Sequence, residues 1–201
     1  MSSLAFFREA YYSFYRAIVP IRCWADFGCG CGRTLPWIVE ALPAAEVTGV
    51  DVDEDAIEWC RRNLRRVAFE RTAFLPPLRF PPDSFDLIYC ISVFTHLDSN
   101  AQHLWLAEFR RILRPGGALV LTVHGARARE GLNKANREEL DRAGLLHLRS
   151  TKLEGLVPPG YHTTWHTMEH VTARFQELFE HVGYTEIPDG MQDVVTGIRS
   201  R

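Results

Sequence analysis

The sequence predicts an α/β fold: a doubly wound, mostly parallel sheet with helices on both faces and an antiparallel terminal strand. Three observations predict it. Short apolar runs alternate with helix-period segments from residue 23 to residue 124, the rhythm of strand–helix–strand units. The first apolar run ends in a cluster of glycines, and the second ends in acids. A further apolar run, "QDVVTGIR" at 192–199, follows the last helical segment and reads as a terminal strand.

Each element has its own justification. "CWADF" (23–27) is a buried strand by composition, and "LPWIVEAL" after the glycines places Leu35, Ile38, Val39 and Leu42 at helical spacing with Pro36 in the tolerant first turn. "EVTGVDVD" (46–53) is the second strand. "DEDAIEWCRRNLRRV" sets Ile57, Cys60, Leu64 and Val67 on one helical face, opened by acids that suit a helix N-terminus. "SFDLIYCISVF" (84–94) is the next strand, and residues 98–114 form a helix with Leu106, Phe109 and Leu113 inward, stopped by "RPGG". "ALVLTVH" (118–124) is the most strand-like run. Residues 125–166 carry Arg, Gly, Asn and Pro, with one helical stretch near 135–146. The last helix, 168–182, turns Val171, Phe175, Leu178, Phe179 and Val182 inward, with Thr167 as cap and Gly183 past its end.

The 201 residues fit a single domain. Its parts are an N-terminal helical lid (1–21, with Phe7, Tyr11 and Tyr15 on one stripe), a ligand-binding core (22–124), an insertion (125–166), and a terminal helix and strands (167–201). The charge of −2, from 23 basic and 25 acidic residues, argues against a nucleic-acid surface. Arg61, Arg62, Arg65 and Arg66 read as a solvated helix face. The five cysteines are odd in number and include no CxxC, which favours a reducing cytoplasm over a disulfide framework. The aromatic N-terminus is interrupted by Arg8, Glu9 and Arg16 and is too charged to span a bilayer.

"ADFGCGCGRT" (25–34) poses the functional question. Cys29 and Cys31 alternate with Gly28, Gly30 and Gly32, and no second cysteine pair exists to complete a zinc site. No metal is therefore expected. The dinucleotide fingerprint G-x-G-x-x-G requires glycine where Arg33 stands. The G-x-G-x-G that remains still offers bare backbone between a strand and a helix. Asp51 lies 19 residues after Gly32, where an acid can accept hydrogen bonds from both ribose hydroxyls. A nucleoside ligand is expected, beyond the carboxyl ends of the strands.

With these motifs in order, "WADFGCGCGRTLPWI…VTGVDVDEDAIEWCRRNL…FPPDSFDLIYCISVFTHL…AEFRRILRPGGALVLTVHG" resembles the class I S-adenosylmethionine-dependent methyltransferases. It looks closest to the small bacterial type that acts on small molecules or carbohydrate-related substrates. The resemblance implies a Rossmann-like fold and S-adenosyl-L-methionine as cofactor. It also implies that Asp26, Gly28, Cys29, Gly30 and Gly32 meet the methionine part of that cofactor. Asp51 would hold the ribose with Val52 beside the adenine, and Ile91 through His96 would wall the sulfonium. Phe85 and Asp86 match the fourth-strand motif. Thr72 and Ala73 stand where similar proteins often carry an acid or Asn that reads adenine, so backbone contacts are expected there instead.

Methyl transfer from a sulfonium demands alignment and a dry site; an alcohol acceptor also demands a base. His124 and His162 are the candidate catalytic bases. His162 and His166 would share a face if "YHTTWH" were helical, and Tyr161, His162, Trp165 and His166 are expected to line an acceptor pocket. The expected function is methyl transfer to an O or N acceptor on a small molecule, with no nucleic-acid or membrane partner. The alternative is a catalytically silent nucleoside-binding module; an NAD oxidoreductase ranks third because of Arg33.

Overall fold

The computed structural model describes residues 21–149 and 162–201. The stripe Phe7, Tyr11 and Tyr15, with the lid it was expected to form, and Tyr161 lie outside them. Strands β1 (Cys23–Phe27), β2 (Glu46–Asp51), β3 (Ala68–Arg71), β4 (Phe85–Cys90) and β5 (Leu113–His124) are all parallel, in the order β3-β2-β1-β4-β5. The chain leaves β1 for β2 and β3 on one side, then returns to β4 on the other. Strand order therefore reverses at β1, and a crevice opens above its carboxyl end.

Helices α1 (Leu35–Ala41), α2 (Glu54–Asn63) and α3 (Ser99–Ile112) connect these strands. Leu35 and Val39 of α1 and Ile57 and Cys60 of α2 pack with Val47 and Phe69 on one face of the sheet. On the other, Phe27 of β1 lies against Trp105 and Phe109 of α3 with ring centroids 4.4 and 4.9 Å apart. Asp53 and Asp98 cap α2 and α3 by accepting from the amides of Ala56 and Ala101. Arg61, Arg62, Arg65 and Arg66 are all exposed, but only the first two lie on α2, which ends at Asn63.

The carboxyl half departs from the sequence expectation. The last helix, α6 (Met168–Gln176), stops well before residue 182. Thr167 caps it as expected, accepting from the His170 amide. Gly183 is not its stop signal, because it sits inside a strand, β8 (Glu180–Thr185), which pairs antiparallel with β9 (Gln192–Ile198). His181 adopts φ +49, a kink in β8 that coincides with its register shift against β9. β9 itself runs antiparallel to β5, from Ala118↔Ile198 to His124↔Gln192.

The insertion is more regular than its composition suggested. It carries α4 (Ala126–Glu130), α5 (Lys134–Ala143), β6 (Leu145–Leu148) and β7 (Thr163–His166). Gly144, at φ +77, ends α5 in a left-handed turn and starts β6. β6 and β7 pair antiparallel, and β7 joins β5 in parallel through His124↔Trp165, beyond the point where β4 ends. His162 and His166 therefore flank an extended segment rather than share a helical face. The strand pair sits over the carboxyl ends of β4 and β5, where the Thr164 amide donates to the Thr95 carbonyl at 2.8 Å. No helix among the described residues is long and apolar enough to cross a membrane.

Opposite this edge, one carboxylate ties three segments together. Asp86 is buried and accepts from the amides of Arg22 and Cys23 and from the Arg114 guanidinium, all at 2.8 Å. Burial pushes its carboxyl up, but the Cys23 amide, Arg114 and the Arg22 amide outweigh that and hold it below the usual value. Its contribution is present above the ordinary carboxylate range and is lost as pH falls through the depressed pKa. Asp86→Ala takes the shared acceptor from the part-buried amides of Arg22 and Cys23 and from the Arg114 guanidinium, and an unfolding free energy lower by about 1–2 kcal/mol is expected in urea titration.

Candidate active site

The crevice above β1 is built from backbone. The amides of Gly28 and Cys29 both donate to the Val50 carbonyl, at 2.7 and 3.1 Å, and the Gly30 amide donates to Asp51 Oδ2 at 2.7 Å. Asp51 Oδ1 accepts from the Asp53 amide at 2.9 Å. Each oxygen of Asp51 has thus spent one lone pair on the backbone and keeps another for a ligand hydroxyl. Gly28 and Gly30 have φ of +79° and +51°, a region L side chains rarely adopt. A Cβ on Gly28 would also fall 2.2 Å from Val93 Cγ2, whereas one on Gly30 would meet nothing within 4 Å. Gly30 therefore faces open space on the side a Cβ would take. Gly32, also at positive φ (+71), is closely packed as well: a Cβ there would stand only 2.6 Å from Leu64 Cδ1. Cys29 is buried beneath the loop, where burial raises its thiol pKa, and Cys31 is exposed.

Asp26 lies under the same loop, 3% exposed, and accepts from Thr34 Oγ1 at 3.0 Å. Burial, countered in part by Thr34 and reinforced by Asp51, raises its pKa to about 7. Val52 and Ile91, at the exits of β2 and β4, are half-buried around the crevice. The Thr72 amide donates to the Asp51 carbonyl at 2.9 Å, so this segment is tied to the end of β2 through backbone.

The exit of β4 is held by a ring of three side chains that sequence reasoning missed. The Ser92 amide donates to Thr122 Oγ1, Thr122 Oγ1 donates to Gln192 Oε1, and Gln192 Nε2 donates to Ser92 Oγ, at 2.8, 2.6 and 2.6 Å. Ser92 sits at φ +61, and the ring locks that turn against β5 and β9.

Beyond β4 and β5 the edge is populated by imidazoles. His124 Nδ1 lies 2.8 Å from the Thr164 carbonyl, and its ring stacks on Trp165 with centroids 5.4 Å apart and planes at 28°. A carbonyl only accepts, so Nδ1 carries the proton and Nε2 the lone pair. His96 Nδ1 likewise donates to the His162 carbonyl at 2.6 Å. Burial lowers the pKa of both His96 and His124. His162 reaches the edge as its carbonyl; its ring stands edge-on to His147 at 5.3 Å, and its buried Nδ1 has no hydrogen-bond partner among the described residues. His147, from β6, was absent from the sequence expectations, because "LLHL" gives no motif signal. His166 corrects an expectation: it does not line an acceptor pocket but is buried, donating from Nε2 to Gln102 Oε1 at 3.0 Å. Gln102 Nε2 is occupied by the carbonyls of Phe94 and Leu97, which fixes that direction. Burial drives the His166 pKa to about 3. No cluster of three or more metal-ligating side chains occurs among the described residues.

Fold and crevice together define a nucleoside-binding α/β domain whose ligand loop is glycine backbone and whose second anchor is a strand-end acid. Residues 25–117 match the family model described as a methyltransferase domain. A ribosomal protein L11 methyltransferase of Ralstonia pickettii (strain 12J) is 38% identical over 97 residues, 48% of this chain and 30% of its own length. A fatty-acid O-methyltransferase of Mycolicibacterium smegmatis is 30% identical over 105 residues, 48% of this chain and 35% of its own. A solved S-adenosylmethionine-dependent methyltransferase from Methanosarcina mazei superposes with a TM-score of 0.66 at 18% identity, covering 94% of this chain and 98% of that one. Residues 25–117 thus belong to the class I S-adenosylmethionine-dependent methyltransferase domains. The chain spans only about a third of the two curated relatives.

The residues present fit the cofactor of that family. The open space at Gly30, the remaining lone pairs of Asp51 and the buried carboxyl of Asp26 suit a nucleoside carrying a polar, cationic amino-acid arm. Asp51→Ala removes both carboxylate oxygens at the end of β2, and a loss of about 2–3 kcal/mol in S-adenosylhomocysteine affinity is expected by calorimetry. Asp26 titrates in the opposite sense to Asp86. Its folded pKa is raised, so the stability it permits is full below pH 3.8 and declines as pH rises toward 7. Asp26→Asn should flatten the fall in unfolding free energy across that window, measured by denaturation at a series of pH values.

Proposed function

We propose that this chain methylates a hydroxyl group of a small molecule, with S-adenosylmethionine as donor and His124 as general base. The single observation that carries the reading is the tautomer of His124: its Nδ1–H is committed to the Thr164 carbonyl at 2.8 Å, which leaves Nε2 as a proton acceptor at the end of β5. A hydroxyl must shed its proton as it attacks carbon, and a neutral imidazole matches that task near neutral pH.

Bound S-adenosylmethionine supplies a methyl group on positively charged sulfur, already activated for in-line displacement. Gly28 and Gly30 would hold its amino-acid arm by backbone, Asp51 its ribose, and Val52 the adenine. Ile91 and His96 would bound the sulfur side. His124 Nε2 takes the hydroxyl proton, and the Thr164 carbonyl steadies the imidazolium that results. Trp165 keeps the ring in plane by stacking and is itself pinned, its Nε1 donating to the Ala128 carbonyl at 3.2 Å. His162, the second candidate, acts through its carbonyl by holding His96. Residues 125–149 and 162–166 would supply the acceptor side. The fatty-acid O-methyltransferase among the relatives supports an oxygen acceptor.

The test pairs binding with turnover. Calorimetry with S-adenosylmethionine, S-adenosylhomocysteine and NAD should show the two adenosyl ligands bound and NAD not. Radiolabelled methyl transfer to a panel of alcohols and phenols should then fall about 100-fold or more in His124→Ala, with cofactor affinity unchanged. Because burial lowers the His124 pKa below 6.5, wild-type turnover should be flat above that value and fall only below it. Adenosyl binding without turnover of any acceptor would favour the catalytically silent alternative, and unchanged turnover in the variant would remove His124 as base.

A further inference from the structure

Ser92 stands between the glycine loop and the end of β5. Its neighbour Val93 closes on the loop, where a Cβ on Gly28 would fall 2.2 Å from Val93 Cγ2, and its own amide donates to Thr122 Oγ1 at 2.8 Å. Thr122 and His124 alternate along β5 with the core residue Val123, so they share one face of the sheet. Gln192 of β9 is directly opposite His124 in the antiparallel ladder, which puts its side chain on that same face beside the imidazole. Ser92 bonds both to Thr122 and to Gln192, and so sits on the His124 face as well.

Burial fixes the direction of the bonds around this ring. Thr122 is only 1% exposed, and its Oγ1 accepts from the Ser92 amide, so its single hydroxyl hydrogen needs an acceptor inside the protein. Gln192 Oε1, at 2.6 Å, is that acceptor. The Gln192 amide is thereby oriented, and its Nε2 donates to Ser92 Oγ at 2.6 Å. Turning the amide over would aim Nε2 at Thr122 and strand the buried threonine hydrogen. Ser92 is half-buried at φ +61. It accepts twice over for the ring's needs, from no one but Gln192, and keeps a hydroxyl hydrogen that finds no acceptor among the described residues.

We propose that Ser92 is a specificity residue of the acceptor site, whose free hydroxyl hydrogen binds an oxygen on the carbon next to the hydroxyl being methylated. This rests on reading the edge as the methyl-transfer site with His124 as base. His124 Nε2 accepts and Ser92 Oγ–H donates, so the edge recognises a hydroxyl and a neighbouring acceptor oxygen together. Thr122, which carries Ser92, and His124 are about 6–7 Å apart along the strand, a span that two adjacent oxygens bridge when each makes its own hydrogen bond. The substrate class is therefore a vicinally dioxygenated compound, such as a phenol with an ether or hydroxyl oxygen in the ortho position. Gln192 is the positioning residue: it touches no substrate and acts by keeping the Ser92 hydrogen free.

The test is calorimetry on protein saturated with S-adenosylhomocysteine, comparing 2-methoxyphenol with 4-methoxyphenol, which carry the same two groups in adjacent and in opposite positions. Wild type should bind the adjacent isomer about 5- to 10-fold more tightly, the worth of one neutral hydrogen bond. Ser92→Ala removes the hydrogen and should bring the ratio to about one. Gln192→Glu still accepts from Thr122 but offers a carboxylate oxygen where the amide donor stood. The Ser92 hydrogen then turns inward to that oxygen, and the ratio should again fall to about one. This second variant also decides the matter should Ser92→Ala fail to fold. Equal binding of the two isomers by wild type, binding of neither, or a preference that survives in either folded variant overturns the proposal. Failure of the methyltransferase reading shows separately, as absence of S-adenosylhomocysteine binding, and failure of His124 as base shows as unchanged turnover in His124→Ala.

Discussion

The cofactor side of this domain depends on one capture: the carboxyl end of β2 takes three successive amides of the loop that leaves β1. Val50 accepts from Gly28 and Cys29 through its carbonyl, and Asp51 accepts from Gly30 through its side chain. Each bond is ordinary, but together they lift the loop out of the strand direction and bend it toward β2. That bend exposes the backbone at Gly30 and aims the remaining lone pairs of Asp51 into the same space. The positive φ values at Gly28 and Gly30 are the conformational condition of the capture, and a side chain at either position opposes it. The loop glycines and the strand-end acid, which look like separate motifs in sequence, are one hydrogen-bonded object.

This explains which parts of the molecule were legible beforehand. β1, β2, β4, β5 and β9 were all readable, because buried strands leave contiguous apolar runs and their ends carry glycines or acids. The cofactor crevice was readable for the same reason: its parts are local, and backbone binding demands particular residue types. The acceptor side was not. β6 and β7 are four residues each, with sequences LLHL and TTWH, and they become strands only by pairing with each other and with β5. The end of the last helix was misplaced because Leu178, Phe179 and Val182 continue the apolar helical spacing. All three do pack against the main core, but Val182 does so from β8. Burial was foreseen there and backbone geometry was not.

The Ser92–Thr122–Gln192 ring was illegible for another reason. Its members lie 30, 70 and 100 residues apart in pairs, and none belongs to a pattern. Only the closing of β9 against β5 brings them together. Histidines raised a similar difficulty. His124, His162 and His166 were picked out by residue type and position, yet their environments differ sharply: one is half-buried with a committed Nδ1, one contributes its carbonyl, and one is buried in the core with its pKa held near 3. Residue type nominated them, and burial with hydrogen-bond direction distinguished them.

The two sides of the crevice therefore work by opposite electrostatics. On the cofactor side carboxyl groups gather, with Asp51 close enough to Asp26 to add to the cost that burial sets on ionising it. A cation bound there relieves that cost, so the site gains from a positively charged ligand without needing an opposing salt bridge of its own. On the acceptor side the titratable groups are imidazoles kept neutral by burial and oriented by carbonyls that accept their protons. Under the proposed mechanism a neutral imidazole would face a cationic donor, and the imidazolium would form only as the hydroxyl proton is handed over. In the proposed transfer the total charge at the crevice would be conserved, with the cofactor side losing one positive charge and the histidine edge gaining it.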